Sequence, residues 1–523
     1  QSLLAALLES GVFVDSPCGG AGTCGKCKVR IFSSSGKLPP ATENERRLLN
    51  EAERSNGWRL ACRVIPAEDM TLEVFNRDAT AVSVPAVSDL AARGQEGRCG
   101  IAVDIGTTTV EAALVDMESG REIAVRSAVN PQTRFGMDVL SRISHAIAHP
   151  EGVGVMQRAI VEQLDAMTEE LCRTAGADFS SVSDVAVAAN CAMLHLLLGV
   201  NPAPLGSFPF APAFVDSREL PASDAGLRKL ARDARLYCLP SVSAFIGADI
   251  VAGIHVSDLA RQKGSALFID IGTNGEMALS RGGSLASCSC AAGPALEGMN
   301  IRCGARAAPG AIEDVAIDSQ GAVRLKVIEN ASPSGICGSG ILAAIKELLR
   351  VGLVRPDGAL WVLGEELPPG MECFAGLCRV EDGIPAVRLS DRVLVTQKDI
   401  RQVQLAKGAL LSGVRALLNW AELEDRDIDK VFVAGQFGAH LSAESLTGCG
   451  ILPSSLGGKI EYIGNSSKEG ARRALLSRSA RAEMEKLARS VTYLDLGSTP
   501  GYSDLFMECL EFPSFSLFSS GGE

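Results

Sequence analysis

The sequence GIAVDIGTTTVEAALVDMESG, residues 100–120, is an apolar run that breaks at Asp-Ile-Gly-Thr and then resumes as a second apolar run. This pattern predicts two β-strands joined by a tight turn. Residues 266–283, ALFIDIGTNGEMALSRGG, repeat the pattern around a second Asp-Ile-Gly-Thr. Two copies separated by sequence of helical periodicity predict duplicated α/β lobes, which we expect to face one another across a cleft.

Both turns carry the residue types that bind a phosphate chain. Backbone N–H groups and hydroxyls in such a turn donate to phosphate oxygens, and a carboxylate at the end of the strand can hold Mg²⁺ directly or through water. We therefore predict that the turns bind ATP, although two plain hairpins inside a sheet remain an alternative. The predicted roles are Mg²⁺ binding and water orientation for Asp104 and Asp270, an additional base for Glu276, and phosphate contact for Gly106, Thr107, Thr108, Gly272, Thr273 and Asn274.

Two later segments have the form of nucleotide-binding glycine turns. DKVFVAGQFGAHL, residues 429–441, is an apolar strand that runs into a glycine turn and a helix. GICGSGILAAIKELLRVG, residues 335–352, places glycines before a helical run whose amino end could bind an anion. We expect Gly435, Gly438 and Gly338 to line the nucleoside side of the site.

The front of the chain contains a cysteine loop. SPCGGAGTCGKCKV, residues 16–29, holds Cys18, Cys24 and Cys27 with five and then two residues between them, and Cys62 follows after 34 more. Three thiolates from a glycine-rich loop and a fourth from a distant strand can surround two irons, which predicts a 2Fe-2S cluster. A zinc knuckle or four unrelated thiols is the alternative, but zinc sites favour two paired CxxC motifs.

Composition limits the function classes. A chain of 523 residues is expected to form several domains, and its net charge of -12 opposes binding to nucleic acid. No apolar stretch reaches the roughly 18 residues of a membrane span. Sixteen cysteines without a signal peptide before them favour a reducing cytoplasm. Because the chain begins with Gln1 and a predicted helix, we expect that a preceding segment is missing.

The motifs together resemble those of known families. The cysteine loop resembles ferredoxins whose first spacing is five residues, over about residues 1–76, without their initial β-hairpin. The paired turns resemble the superfamily of acetate and sugar kinases, heat-shock chaperones and actin. With the cysteine loop first and the paired turns after it, the chain resembles the reductive activators of corrinoid enzymes. The resemblance includes two segments between the turns and one after them, VAVAANCAMLHLLLGV, SAFIGADI and AAGPALEGMNIRCGARAAPGAIE.

The resemblance implies a function, cofactors and partners. It implies ATP-dependent reduction of an inactive Co(II) corrinoid protein to Co(I), with a 2Fe-2S cluster, ATP and Mg²⁺ as the groups involved. The partners would be a corrinoid protein of a methyltransferase or O-demethylase system and an upstream electron donor, and a homodimer stays open. Cobalt would lie on the partner, because the chain has no DxHxxG segment. A small-molecule kinase or hydantoinase-like enzyme with a regulatory cluster, or an ATP-controlled redox sensor, is the alternative.

The implied fold is an α/β multidomain protein. Its parts would be an N-terminal β-grasp 2Fe-2S ferredoxin-like domain without the first hairpin, a linker, and duplicated RNase H-like lobes of the actin-like ATPase superfamily. We place the ferredoxin-like domain at residues 1–76, the linker at 77–98, a middle domain with the first turn at 99–200, and the C-terminal ATPase domain at 201–523. A flexible linker would let the cluster move between an electron donor and an acceptor.

Overall fold

The computed structural model describes residues 1–10, 25–34, 40–66, 70–74, 98–361, 371–435 and 441–515, and the single residues 12, 14, 16, 20, 22, 368 and 438. The chain forms two compact units, Gln1–Cys238 and Leu239–Glu523. The predicted linker lies outside the described residues except for residue 98. Within the described part of the chain, no helix has both the length and the apolar character of a membrane span.

The first unit begins with a small three-stranded layer. Its strands are β1 (Lys28–Ser34), β2 (Trp58–Leu60) and β3 (Met70–Val74), and its helices are α1 (Leu3–Glu9), α2 (Glu43–Leu48) and α3 (Glu51–Ser55). The strands pair antiparallel in the order β2-β1-β3. Leu3 of α1, Val29 of β1 and Leu60 of β2 are buried in one apolar core, so the helix packs on the sheet that carries the cysteine loop.

A six-stranded sheet follows in the same unit. Its strands are β4 (Cys99–Ile105), β5 (Thr109–Asp116), β6 (Glu122–Val129), β7 (Val182–Ala189), β8 (Arg218–Pro221) and β9 (Arg235–Cys238), and its helices are α4 (Val139–Ala148), α5 (Gly152–Ala175) and α6 (Cys191–Leu197). The strand order is β6-β5-β4-β7-β9-β8. Long helix α5 packs against β5 and β6.

The position of β8 and β9 corrects one predicted boundary. Both strands lie beyond residue 200, where we ended the middle domain, yet they belong to the sheet that carries the first Asp-Ile-Gly-Thr turn. Each has only four residues. Because a period of two cannot be recognised over so few positions, the sequence pattern did not reveal them. The other predicted domain limits stay a prediction.

The second unit repeats the architecture and adds two smaller sheets. Its strands are β10 (Ser265–Ile271), β11 (Gly275–Arg281), β12 (Ser284–Cys290), β13 (Ala311–Ile317), β14 (Val323–Val327), β15 (Gly335–Ile336), β16 (Cys378–Glu381), β17 (Ile384–Arg388), β18 (Leu394–Thr396), β19 (Ile428–Ala434), β20 (Ile460–Gly464) and β21 (Val491–Tyr493). Its helices are α7 (Ala248–Val256), α8 (Gly338–Arg350), α9 (Gln397–Trp420), α10 (Ala443–Gly448), α11 (Ser466–Leu476), α12 (Arg478–Ser490) and α13 (Tyr502–Glu508).

The two large sheets share a five-strand topology and differ in the sixth strand, which is β8 next to β9 in the first and β21 next to β12 in the second. In the first, β4, β5 and β6 form an antiparallel meander, and β7 and β9 continue parallel to β4. In the second, β10, β11 and β12 form the meander, and β19 and β20 continue parallel to β10. The repeat seen in the sequence is therefore a repeat of the fold, and each Asp-Ile-Gly-Thr turn joins the first two strands of its meander.

Candidate cluster site and phosphate turns

Two of the four predicted cluster ligands lie side by side. Cys27 directly precedes β1, and Cys62 lies in the short turn Ala61–Arg63 that follows β2. The pairing of Lys28 with Leu60 places both cysteines at the same end of the sheet, where their sulfurs are 3.3 Å apart and buried. Two sulfurs bound to one tetrahedral metal at ~2.3 Å are about 3.8 Å apart, so the described pair suits a shared iron. Cys18 and Cys24 lie outside the described residues.

A buried ion pair stabilises the strand that leads to Cys62. The Glu45 carboxylate accepts from Arg59 Nε at 2.8 Å and from the Leu60 backbone N–H at 3.1 Å. Burial raises the pKa of Glu45, but these bonds outweigh it and hold the pKa below its ordinary value. Glu45 also completes a capping box with Thr42 at the start of α2. We did not predict this role, although the Thr-x-x-Glu spacing at 42–45 is a readable capping signal.

The first Asp-Ile-Gly-Thr turn is tight and is held by hydrogen bonds within its own lobe. The Gly106 N–H donates to the Thr109 carbonyl at 2.9 Å, and a Cβ at Gly106 would lie 2.8 Å from that oxygen. Only glycine fits this approach without a shift of the chain. The Asn130 amide donates to the Gly106 carbonyl at 2.8 Å, and the Asn130 backbone N–H donates to the Thr108 carbonyl at 2.9 Å. The turn is therefore held from β6 as well as from its own strands.

Two more side chains fix Thr107. Fully buried Arg142 of α4 donates to the Thr107 carbonyl, and the Asn190 amide donates to Thr107 Oγ1 at 3.2 Å. Burial lowers the pKa of Arg142 to about 9, against the attraction of Asp138. The sequence alone assigned no role to Arg142 or Asn130. Neither of those residues stands near the turn in sequence, and only the fold brings them there.

The second turn has one residue fewer between its paired strand ends than the first, and it has a denser set of carboxylates. The Gly272 N–H donates to the Asn274 carbonyl at 3.0 Å. Asp270, at the end of β10, pairs across the strands with Glu276 of β11, and Ser289 donates to Glu276 at 3.3 Å. Asp104 and Glu111 occupy the corresponding pair in the first lobe. Each copy thus places an aspartate opposite a glutamate beside its turn, and Glu111 was not among the predicted residues.

Three carboxylates of the second lobe, Asp249, Asp270 and Glu276, lie close enough for their negative charges to repel one another. Burial, together with the charges of Asp249 and Asp270, raises the pKa of Glu276 well above its ordinary value. Burial also raises the pKa of Asp249, in the first turn of α7, to about 6. A nearby cation would relieve this repulsion. Among the described residues, no group of three or more His, Cys, Asp or Glu side chains is arranged to bind a metal ion without further ligands. The donors fit Mg²⁺ held by one or two carboxylates with phosphate and water, its usual mode.

The predicted nucleoside glycines have different surroundings. Gly435, with φ of +93°, follows β19, and a Cβ there would lie 2.6 Å from Asp270 Oδ1. Glycine is therefore required both by the left-handed backbone and by the nearby carboxylate. A Cβ at Gly438 would lie 3.1 Å from Val433. Gly338 is the buried first residue of α8. The roles of all predicted site residues stay predictions.

A further acidic residue contacts the second turn. The Thr273 hydroxyl donates to Glu297 Oε1 at 2.7 Å. Glu297 ends the short helical turn Pro294–Glu297 after β12. Burial raises its pKa, while the Thr273 bond and the charge of Arg306 oppose that shift. The sequence alone assigned no role to Glu297.

A buried histidine fixes the loop that follows α6. His195 Nδ1 donates to the Cys191 carbonyl at 2.7 Å, so Nε2 carries a lone pair and accepts from the Ala213 N–H at 3.1 Å. The ring stacks on Phe214 at 4.3 Å. Burial lowers the pKa of His195, and Arg218 adds to this, while the Cys191 bond opposes it. The folded protein therefore holds His195 neutral.

We expect His195 to contribute an acid-sensitive part of the stability. Between the folded pKa and the ordinary value of about 6.5, the unfolded chain binds a proton that folded His195 does not, so stability falls as the pH falls through this range. The free energy of unfolding, measured in denaturant at pH 7.5 and pH 5.5, should decrease less in His195→Gln than in the parent protein. An equal decrease in both would contradict this role.

Comparisons with known proteins agree with the order of these sites. Family models match residues 1–67, described as a 2Fe-2S iron-sulfur cluster binding domain, residues 99–262, described as the RACo middle region, and residues 264–520, described as the C-terminal domain of RACo, the ASKHA domain. ASKHA denotes the acetate and sugar kinase, heat-shock chaperone and actin superfamily. These matches confirm the predicted fold class.

Individual relatives extend over most of the chain. Corrinoid activation enzyme RamQ of Eubacterium limosum is 33% identical over 415 residues, which are 78% of this chain and 69% of the relative. The [Co(II) methylated amine-specific corrinoid protein] reductase of Methanosarcina barkeri is 26% identical over 444 residues, 78% of this chain and 76% of the relative. A solved structure of a reductive activator for corrinoid, iron-sulfur protein covers 98% of this chain and 96% of its own, with 28% identity and a TM-score of 0.71.

Proposed function

The chain belongs to the family of reductive activators of corrinoid proteins, and on this premise we propose that it uses ATP hydrolysis to pass electrons from a 2Fe-2S cluster to the Co(II) corrinoid of a partner protein, giving Co(I). The observation that carries the proposal is the presence, in one chain, of the adjacent Cys27 and Cys62 thiols and of two Asp-Ile-Gly-Thr turns, each with an aspartate opposite a glutamate beside it. An electron-transfer site and a phosphate site in one protein suit a reduction that needs a chemical energy source.

The energetic need for ATP follows from the electron transfer itself. When bound, the cluster carries single electrons and Mg²⁺-ATP supplies the free energy of hydrolysis. For a one-electron couple, each 59 mV of unfavourable potential costs about 1.4 kcal/mol, a factor of ten in the equilibrium constant. One ATP could therefore offset a gap of a few hundred millivolts, provided that its hydrolysis is coupled to a change between two conformations.

The residues near the turns would bind and orient the nucleotide. Thr107 and the backbone of the first turn would donate to phosphate, and Asp270 would hold Mg²⁺ and orient a water. Glu276, which lies opposite Asp270 on the neighbouring strand, would serve as the additional base for that water. Near the cluster, the Glu45–Arg59 pair stabilises the strand next to Cys62. The chain thus supplies binding and orientation at both sites.

The partners follow from the same premise. We propose a corrinoid protein of a methyltransferase or O-demethylase system as the acceptor and a separate reductant as the donor. We also propose a cytoplasmic location, because sixteen cysteines spread through a large chain suit a reducing compartment.

An anaerobic spectroscopic assay tests the proposal. The protein, a low-potential reductant and candidate corrinoid proteins are mixed, and the conversion of the Co(II) spectrum to that of Co(I) is followed with ATP, without ATP and with a non-hydrolysable ATP analogue. Conversion is expected only with ATP. If ATP is hydrolysed but no candidate partner is reduced, the ATP-controlled redox sensor becomes the better interpretation; conversion at the same rate without ATP would contradict the proposal.

A further inference from the structure

The two phosphate turns have the same Asp-Ile-Gly-Thr sequence but opposite hydrogen-bond polarity at threonine. In the first turn, Thr107 Oγ1 accepts from the Asn190 amide at 3.2 Å. The amide group is fixed in this direction because Asn190 Oδ1 caps α6 by accepting from the Met193 N–H at 3.0 Å. The hydroxyl proton of Thr107 therefore points to another acceptor, and a phosphate oxygen is an acceptor of the required kind.

In the second turn the hydroxyl proton is already used. Thr273 donates it to Glu297 Oε1 at 2.7 Å. A carboxylate oxygen accepts this hydrogen bond, so the Thr273 hydroxyl is its donor. Thr273 Oγ1 is left with its lone pairs, which suit a cation or a water bound to one. A phosphate oxygen, itself an acceptor, would repel them.

The position of Glu297 is set by close packing. The turn Pro294–Glu297 packs against the long helices α8 and α9. Just after it, a Cβ at Gly298 would lie 2.7 Å from the Ala305 carbonyl, so the chain folds back on itself with almost no space. The Arg302 N–H donates to Asp399 of α9 at 2.7 Å and fixes the same segment. Because this segment is closely packed, the Glu297 carboxylate is held in one position. A residue that orients another side chain must itself be held in this way.

We propose that Glu297 is a positioning residue that makes the second turn a cation-facing turn, in which Thr273 Oγ1 meets Mg²⁺ or a water of its shell, whereas Thr107 of the first turn donates to phosphate. The proposal rests on the proposed ATP-dependent function. It also separates two residues to which the sequence assigned one phosphate-binding role.

Nucleotide affinity with and without metal tests the proposal. The full chain is titrated with a fluorescent, non-hydrolysable ATP analogue in excess EDTA and again in excess Mg²⁺. Glu297→Ala and Thr273→Val should each weaken binding about tenfold in Mg²⁺, equal to about 1.4 kcal/mol, and less than twofold in EDTA. The double variant should be no weaker than either single one, because both remove the same hydrogen bond. Thr107→Val should weaken binding equally in both conditions.

Conservative variants separate positioning from charge and from folding. Glu297→Gln keeps a carbonyl oxygen that can accept the Thr273 proton, and Thr273→Ser keeps the hydroxyl, so both should bind the Mg²⁺ complex within threefold of the parent. A Glu297→Gln protein as weak as Glu297→Ala would overturn positioning, as would equal losses in Mg²⁺ and EDTA for Thr273→Val. If Glu297→Ala fails to fold by circular dichroism, the Thr273 pair carries the test.

The outcomes also separate this proposal from the proposed function. A parent protein that binds no nucleotide in either condition would contradict the ATP-dependent function itself. A parent that binds the Mg²⁺ complex, with Glu297→Ala and Thr273→Val unchanged from it, would contradict only the assignment of Glu297.

Discussion

Replacing Asp270 by Asn is expected to lower the rate of ATP hydrolysis by about 10²- to 10³-fold, the size of effect seen when one preorganised electrostatic group is removed from an active site. Asp270 lies at the end of β10, opposite Glu276. A Cβ at Gly435, just after β19, would lie 2.6 Å from Asp270 Oδ1, so the carboxylate packs closely against this glycine. Asn has nearly the same shape, so the packing should persist while the negative charge is lost. The measurement is phosphate release under anaerobic conditions.

The same sheet offers a matched control for Asp270. Asp429 lies at the opposite end of the sheet and accepts from the Ser265 N–H at 3.0 Å, a bond that Asn can also make. Asp429→Asn should hydrolyse ATP at the parental rate, and both variants should keep the visible absorption of the cluster. Parental turnover by Asp270→Asn would refute the assigned role.

Replacing Cys62 by Ala is expected to remove the visible 2Fe-2S absorption and, with it, ATP-dependent reduction of the corrinoid partner. Cys62 Sγ lies 3.3 Å from Cys27 Sγ, so the variant removes one of two thiols placed for a single iron. Iron-sulfur clusters depend on every thiolate ligand. Binding of the ATP analogue should be retained, because the phosphate turns belong to other sheets.

Cys172 provides the control for loss of a buried thiol. It lies in α5, away from the cysteine loop in sequence, and burial raises its pKa to about 11, so it is held as a neutral thiol. Cys172→Ala should keep the cluster spectrum and the cobalt reduction. An unchanged spectrum in Cys62→Ala would remove this residue from the ligand set.

Much of the fold and part of the candidate site were predictable because their signals are local. The alternation of apolar strands with glycine turns revealed both copies of the meander, and the structure places Asp104 and Asp270 at the ends of their first strands. The cysteine spacing identified the domain that the family model matches at residues 1–67. Such patterns come from backbone geometry that repeats every few residues, so they can be read without knowing the rest of the chain.

The partners of the turns depend on contacts that no local pattern contains. Arg142 and Asn190 reach Thr107 from α4 and from the end of β7, and Glu297 reaches Thr273 from a turn two strands later. The packing of the folded chain determines which side chain contacts each threonine and whether that side chain donates or accepts the hydrogen bond.

By itself, the sequence determined the duplicated lobes, the cysteine loop and the identity of the turn residues, because strand period, glycine turns and ligand spacing are short-range properties. Only the tertiary structure decided that the first sheet runs on to Cys238 and that Thr107 and Thr273 have opposite polarity. The physical reason is that a hydroxyl can donate or accept equally well, and the choice is made by the neighbour that folding brings to it.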